Sequence, residues 1–564
     1  MGTRSSSIVP LCLLVLVALV AAASALGPIA FTGQGVIQGK WANQVQQFLG
    51  VPFAAPPVGE LRFKPPVRSD SWNGVRSATA FGPNCPQNGL AGVQPLPNQS
   101  EDCLYLNIWA PLLANAGSNL PVMVFLHGGG YQTGSGAQPV TDGSVLAATT
   151  NSIIVTVNYR LGLLGMLAHP AFLEETGTFG NYNIMDQVQA LRWVQENIGF
   201  FGGNPSAVTL AGQSVGGISV AIHLVSPQSR GLFQQAIIES AVTSSLTNQS
   251  YVGAQGNTLV AALNCSTSSN AAIRACLRAA SPATLLNLQR TVQPAPARPS
   301  VDGIVIPDQP LALLQKGYFA RVPVLAGNNR NESTVFRANA LSYFNGVYPI
   351  NQTYFNQFIS NAAQFGPNFA SVVDQLYPAS SYPTVFARLA AIEGDRDYTC
   401  QVRHYLDLMN EAGASDLYLY ELRRALPYTN PQTFLGSFHS TDLNYIFGTS
   451  CISDFWPYGP PTCLTGTAPQ FWAAGSVDYQ LSRQVMTLWG NFLWNGTPGA
   501  FWPTYDTTTK ALQVINVNPF LHVEYNLASA QCAYWDNLVV FCGDGICNNG
   551  ENRVSCPSDC NTCP

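Results

Sequence analysis

Val208-Thr209-Leu210-Ala211-Gly212-Gln213-Ser214-Val215-Gly216-Gly217 joins an apolar, β-forming run to a tight glycine-bracketed serine. Gly212-Gln213-Ser214-Val215-Gly216 fits a nucleophile elbow, in which a serine on a sharp strand-to-helix turn exposes its Oγ, and glycines flank it because Cβ atoms there would strike neighbouring backbone. In a chain with 49 glycines a bare Gly-x-Ser-x-Gly match carries little by itself. It needs a strand before it, a helix after it, donors for a developing oxyanion, and an acid and a histidine further along the chain.

Upstream, Pro121 to Leu126 is a continuous apolar run suited to a buried parallel strand, and it ends in His127-Gly128-Gly129-Gly130-Tyr131. Glu101 to Trp109 alternates like a strand, Ser152 to Tyr159 reads as another, and Asp186 to Ile198 has helical apolar spacing. Beyond the elbow, Phe233–Glu239, Val322–Ala326 and Asp416–Glu421 read as further strands, separated by helical and irregular insertions that include a loop over Val292–Ser300. The proline-pinned segment Leu49–Pro66 is not expected to be helical. Strands alternating with helices predict an α/β fold around a large, mostly parallel central sheet flanked by helices.

Acyl transfer generates an oxyanion, so fixed donors must surround the site where it forms. The backbone N–H groups of Gly129, Gly130 and Val215 are the candidates. A serine hydroxyl also needs a base, and the base an orienting acid, in the chain order Ser, acid, His. Of His127, His169, His223, His404, His439 and His522, only the last three follow a downstream acid. His404 lies in the helix-like Cys400–Leu408 and His522 in a strand-like stretch, whereas His439 lies in the loop-like Gly436–Asp442 and is preferred. Glu332 follows the Val322–Ala326 strand through a polar turn, at the edge where open α/β sheets gather ligand chemistry. Glu421, after its tyrosine-rich strand, is the second choice of acid.

These residues together resemble the type-B carboxylesterase and cholinesterase family of α/β-hydrolases, over about residues 28–540. The resemblance is carried by Glu101–Trp109, His127–Gly130, Asn158-Tyr159-Arg160, Gly180-Asn181 with Asp186-Gln187, Phe201–Asn204, Gly212–Gly217, Gly327 with Glu332, and Gly436-x-x-His439 followed by Phe447-Gly448. It implies a Ser214, Glu332, His439 triad, disulfides Cys85–Cys103, Cys265–Cys276 and Cys400–Cys532, and structural ion pairs Arg62–Glu101 and Arg160–Asp186. The activity it implies is hydrolysis of small-molecule carboxylic esters through an acyl-enzyme, without cofactor or metal. Activity is then expected to fall in acid, across roughly pH 6–7, as the histidine base is protonated. Alternatives are a non-catalytic adhesion protein on the same fold and, among enzymes, a lipase or an activity like juvenile hormone esterase. Choline esters are disfavoured: Pro86–Asp102 holds no aromatic residue for a quaternary ammonium, and Gln213 stands where choline-hydrolysing members carry an acid. Ser333 replaces the glycine common after the acid.

Composition bounds the surroundings of this site. Only 10% of residues are charged, against about 25% in an average chain, and the net charge of -5 offers no basic face for nucleic acid. Arg4, the apolar Ile8–Ala22 and Ala23-Ser24-Ala25 read as a signal peptide over residues 1–25, so that the mature chain starts near Leu26 and is secreted, with no integral membrane segment. Residues 26–541 are read as the catalytic domain. Sequons at Asn98, Asn248, Asn264, Asn351 and Asn495 suit that compartment, while Asn331-Glu332-Ser333 would stay unmodified at the active site. Of the 14 cysteines, Cys12 leaves with the signal. Cys451 and Cys463 are expected to close an aromatic loop containing Trp456, either a pocket rim or a surface staple. The cysteine-rich tail, residues 542–564, carries Cys542, Cys547, Cys556, Cys560 and Cys563, an odd set that predicts two disulfides and one thiol able to link two chains as a homodimer. Zinc, or calcium on Asp544, Glu551 and Asp559, are the lesser readings of that tail.

Overall fold

The computed structural model describes residues 27–537, apart from 90–94, 242–245, 293–297, 341–349, 362–364, 367, 427–434 and 451–471. The expected signal segment, the Cys451–Cys463 loop with Trp456, and the tail 542–564 lie outside the described residues.

The apolar runs form one eleven-stranded sheet. In chain order its strands are β1 (Lys40–Ala42), β2 (Val45–Pro52), β3 (Tyr105–Pro111), β4 (Leu120–Leu126), β5 (Ile153–Val157), β6 (Gly203–Gln213), β7 (Gln235–Glu239), β8 (Val324–Asn329), β9 (Leu417–Leu422), β10 (Ala511–Ile515) and β11 (Leu521–Tyr525). Across the sheet they run β11-β10-β9-β8-β7-β6-β4-β5-β3-β2-β1. Every pairing from β5 through β4, β6, β7, β8 and β9 to β10 is parallel, and the margins are antiparallel. The mostly parallel sheet expected from the sequence is therefore the centre of a mixed one. Leu49–Pro66 contributes the end of β2 and a short 3-10 turn at Gly59–Leu61.

Continuous apolar runs are required because both faces of these strands are covered, and successive side chains point to opposite faces. On β4, Val122, Val124 and Leu126 enter one core, while Met123 and Phe125 enter the other. On β8, Val324 and Ala326 divide from Leu325 in the same way. Helices α1 (Ser144–Thr150), α6 (Thr441–Phe447) and α7 (Val477–Asn495) cover the Met123 face. Helices α2 (Tyr182–Asn197), α3 (Val215–Val225) and α5 (Cys400–Glu411) cover the other. Helix α4 (Thr334–Ala340) follows β8.

Three disulfides close described segments: Cys85–Cys103, Cys265–Cys276 and Cys400–Cys532. Arg62 grips Glu101 from Nε at 2.6 Å, and Arg160 forms a two-pronged pair with Asp186 at 2.8 and 2.7 Å. Burial raises the Asp186 carboxyl above the usual range, and the Arg160 charge opposes the rise. Among the described residues, no helix is long and apolar enough to cross a membrane.

Candidate active site

Strand β6 ends at Gln213 and helix α3 begins at Val215, so Ser214 alone makes the turn, at φ 59° and ψ −125°. A non-glycine residue held at positive φ costs of order 1–3 kcal/mol, supplied by the elements that fix it. Its N–H donates to Glu239 O at 2.8 Å, tying the turn to the neighbouring strand β7. The flanking glycines are steric necessities. A Cβ on Gly212 would lie 2.4 Å from Gly216 O, and one on Gly216 would lie 2.0 Å from Leu126 O.

The loop after β4 folds against this turn. A Cβ on Gly128 would come within 3.0 Å of the Ser214 Cβ and 2.7 Å of Gln213 Oε1. Gly129 at φ 111° and Gly130 at φ 64° have backbone conformations that L side chains resist. The His127 ring stacks on Tyr159 at 4.3 Å, its Nδ1–H donates to Gly128 O at 2.7 Å, and Tyr159 donates to His127 O at 2.6 Å. Burial lowers the His127 pKa to about 4, so it is a neutral brace for the glycine loop. The N–H of Val215 opens α3, where an unsatisfied amide and the helix dipole both favour negative charge.

Glu332 follows the C-terminal end of β8, and His439 precedes α6. The sheet brings them to 2.5 Å between Glu332 Oε2 and His439 Nδ1, with both side chains 0% exposed. The other carboxylate oxygen, Oε1, accepts from Asn329 N at 2.6 Å, Ser240 Oγ at 2.6 Å and Asn329 Nδ2 at 3.2 Å. Asn331 holds the two loops in register: its N–H donates to Ser437 O and its Oδ1 accepts from Ser437 N. A Cβ on Gly436 would lie 2.2 Å from that Oδ1. The far nitrogen of the imidazole, Nε2, lies 3.2 Å from Nε2 of Gln213, the residue immediately before Ser214. Phe336 and Tyr398 flank the imidazole at 5.0 and 5.3 Å between ring centroids. A cavity of about 270 Å³ adjoins them, bordered also by Ser333, Arg337, Glu393 and Asp397.

The alternatives weighed from sequence sit elsewhere. Glu421 is engaged by Arg423 at 2.5 Å and by Arg330 at 3.3 Å. His404 lies on α5, 3.9 Å from Asp536, and His522 lies on β11, 3.1 Å from Glu524. Sequence reading missed a polar layer behind the imidazole. Asn329 Nδ2 donates to Asp442 Oδ1 at 3.1 Å, the Tyr420 hydroxyl donates to Asp442 Oδ2 at 2.8 Å, and Trp489 Nε1 donates to Glu239 Oε1 at 3.1 Å. Burial and then Glu332 raise the Asp442 carboxyl, and burial and then Asp442 push Glu239 well above the usual range. Strand register was the missing signal, since Gln213 pairs with Glu239, Glu239 with Gly327 and Gly327 with Tyr420 across the sheet.

Known proteins share this architecture. The carboxylesterase family model matches residues 27–535. Carboxylesterase 1C of Rattus norvegicus is 31% identical over 91% of this chain and 93% of its own length. Cholinesterase of Mus musculus is 32% identical over 87% of this chain and 83% of its own length. Among solved structures, a PNB esterase superposes with a TM-score of 0.72 at 29% identity, over 90% of this chain and 99% of that one. With its α/β-hydrolase fold and this match along nearly its whole described length, the chain belongs to the carboxylesterase family and is a carboxylic ester hydrolase.

Proposed function

We propose that the chain hydrolyses small-molecule esters in two steps, with Ser214 as nucleophile, His439 as base and acid, and Glu332 as the orienting carboxylate. The 2.5 Å contact between the fully buried Glu332 and His439 carries this reading, because it fixes a hydrogen on Nδ1 and leaves Nε2 to accept a proton. Ser214 Oγ bonds to the ester carbonyl carbon as its proton passes to Nε2, and the carbonyl oxygen becomes an oxyanion facing the N–H groups of Gly129, Gly130 and Val215. The C–O bond to the alcohol then breaks, and Nε2–H returns the proton to the leaving oxygen. Water repeats the sequence on the acyl-enzyme, giving the acid and restoring Ser214. Glu332 stabilises the imidazolium formed in each half, and its own negative charge is held by three donors.

The same reading includes secretion after loss of residues 1–25, a catalytic unit of 26–541 and a tail over 542–564. Three disulfides among the described residues suit an oxidising compartment. Asn98, Asn264 and Asn495 are exposed, as glycan acceptors must be; Asn248 is half-buried, and Asn351 is exposed. Asn331 is engaged between two loops of the site, which favours its remaining unmodified.

Hydrolysis of a short-chain aryl ester by wild type and Ser214→Ala tests the proposal. The variant is expected to fold normally and lose at least about 10⁴-fold in kcat. A folded Ser214→Ala protein with wild-type turnover would overturn the assignment.

A further inference from the structure

Gln213 occupies a position that the mechanism above does not use. It is the last residue of β6, is buried, and presses its amide between two parts of the site. On one side Oε1 fills the space that a Cβ on Gly128 would need. On the other side Nε2 meets His439 Nε2 at 3.2 Å.

Two nitrogens at that distance require one donor and one acceptor. The Glu332 carboxylate fixes the imidazole hydrogen on Nδ1, so Nε2 of the neutral ring is a lone pair and the Gln213 amide donates to it. That lone pair is also the one that takes the serine proton, and Nε2–H must then face the leaving oxygen, so the amide holds the ring between turnovers and releases Nε2 to the reacting groups. A primary amide makes and releases this contact without bringing charge to it. A carboxylate offers acceptors alone and a thioether offers almost nothing.

Three carboxyl groups already crowd the imidazole, and burial pushes two of them, Asp442 and Glu239, upward, so an uncharged group is favoured here. Glu332 touches Nδ1, Asp442 lies behind it, Glu239 is bonded to Trp489 beyond, and the Tyr398 ring flanks it. Among the described residues no Arg or Lys is paired with Glu239, Glu332 or Asp442. A carboxylate at 213 would add a further buried negative charge and hold the proton on His439.

We propose that Gln213 is a positioning residue whose amide donates to Nε2 of the neutral, resting His439, holding the ring in place for Ser214 without biasing it toward the imidazolium. This rests on the assignment of His439 as the base.

The test measures kcat and KM for an uncharged short-chain aryl ester from pH 5 to 9, for wild type, Gln213→Glu, Gln213→Met and Ser214→Ala, each checked for folding by circular dichroism. Gln213→Glu is expected to move the acid limb of kcat/KM upward by about one pH unit, which at pH 6 is a loss of roughly five- to tenfold relative to wild type once each is scaled to its own plateau. Gln213→Met is expected to leave that limb in place while kcat falls about tenfold and KM changes less than about twofold. An acid limb unmoved in Gln213→Glu, or an unchanged kcat in Gln213→Met, overturns the role of Gln213. Retained activity in Ser214→Ala would instead overturn the underlying mechanism, so the two failures are distinguishable.

Discussion

Two buried histidines each have a serine nearby, but only one has the surroundings that the proposed mechanism needs. His439 is bonded through Nδ1 to the Glu332 carboxylate and stands beside the residue preceding Ser214. His223, on α3 itself, lies 2.7 Å from Ser229 Oγ through Nδ1 and 2.9 Å from Gln187 Oε1 through Nε2. An amide oxygen can only accept, so Nε2 of His223 carries the hydrogen and Ser229 donates to Nδ1. This is a hydrogen-bonded serine–histidine pair with a polar third member, and it superficially imitates the site. Three physical differences disarm it. Its third member is neutral, so nothing offsets desolvation and the His223 pKa falls to about 3. Ser229 is completely buried on a short 3-10 turn, beyond the reach of an ester, whereas Ser214 is half-buried. Ser229 lies on the turn Pro227–Ser229 after α3, whereas the glycine loop packs against Ser214. A serine next to a histidine is therefore not enough: the proposed site adds a buried carboxylate on the imidazole and a backbone turn that exposes the hydroxyl.

Removing the carboxylate breaks the comparison most severely. Glu332→Gln keeps the shape but gives His439 the same kind of neutral partner that His223 has, and kcat is expected to fall by about 10⁴-fold. A loss below about tenfold in steady-state assays would mean that charge is not what separates the two histidines.

The next effect is on stability and sharpens the contrast from the other side. Folded His223 resists protonation down to about pH 3, while the unfolded residue gains a proton below about pH 6.5. Stability contributed by the neutral ring is thus complete above pH 6.5 and is lost as pH falls, at about 1.4 kcal/mol per unit. Gln does not titrate, so the stability gap between wild type and His223→Gln should shrink by about 2 kcal/mol between pH 7.5 and 5. Denaturant unfolding at both pH values measures this, and a gap independent of pH would contradict it.

The smallest effect belongs to Ser229→Ala. It removes one buried hydrogen bond, costs about 1 kcal/mol in the same unfolding experiment, and should leave kcat/KM unchanged. A large fall in activity would show that the second pair participates.

The elbow was legible in the sequence because its constraints are local: Gly212 and Gly216 surround Ser214 within five residues, and each is demanded by a backbone oxygen close by. The glycine loop was legible for the same reason. Glu332 and His439 could be picked out by chain order and by their place after strands, although their meeting depends on β8 and β9 lying side by side. The layer behind them was not legible. Ser240, Asn329, Tyr420, Asp442 and Trp489 come from five separate stretches: the register of β7, β8 and β9 brings the first three together, and helices α6 and α7 lay Asp442 and Trp489 against the same sheet edge. The contact of Gln213 with His439 was hidden likewise, since the sequence places them 226 positions apart.

Covalent labelling tests the central claim most directly. After reaction of the native protein with an organophosphate ester and digestion, mass spectrometry should find one phosphoryl group per chain, on the peptide bearing Ser214. The label should be absent from the Ser229 peptide, and its incorporation should track the loss of esterase activity. Complete inactivation with the label on any other residue, or labelling of Ser214 that leaves ester hydrolysis intact, would contradict the account.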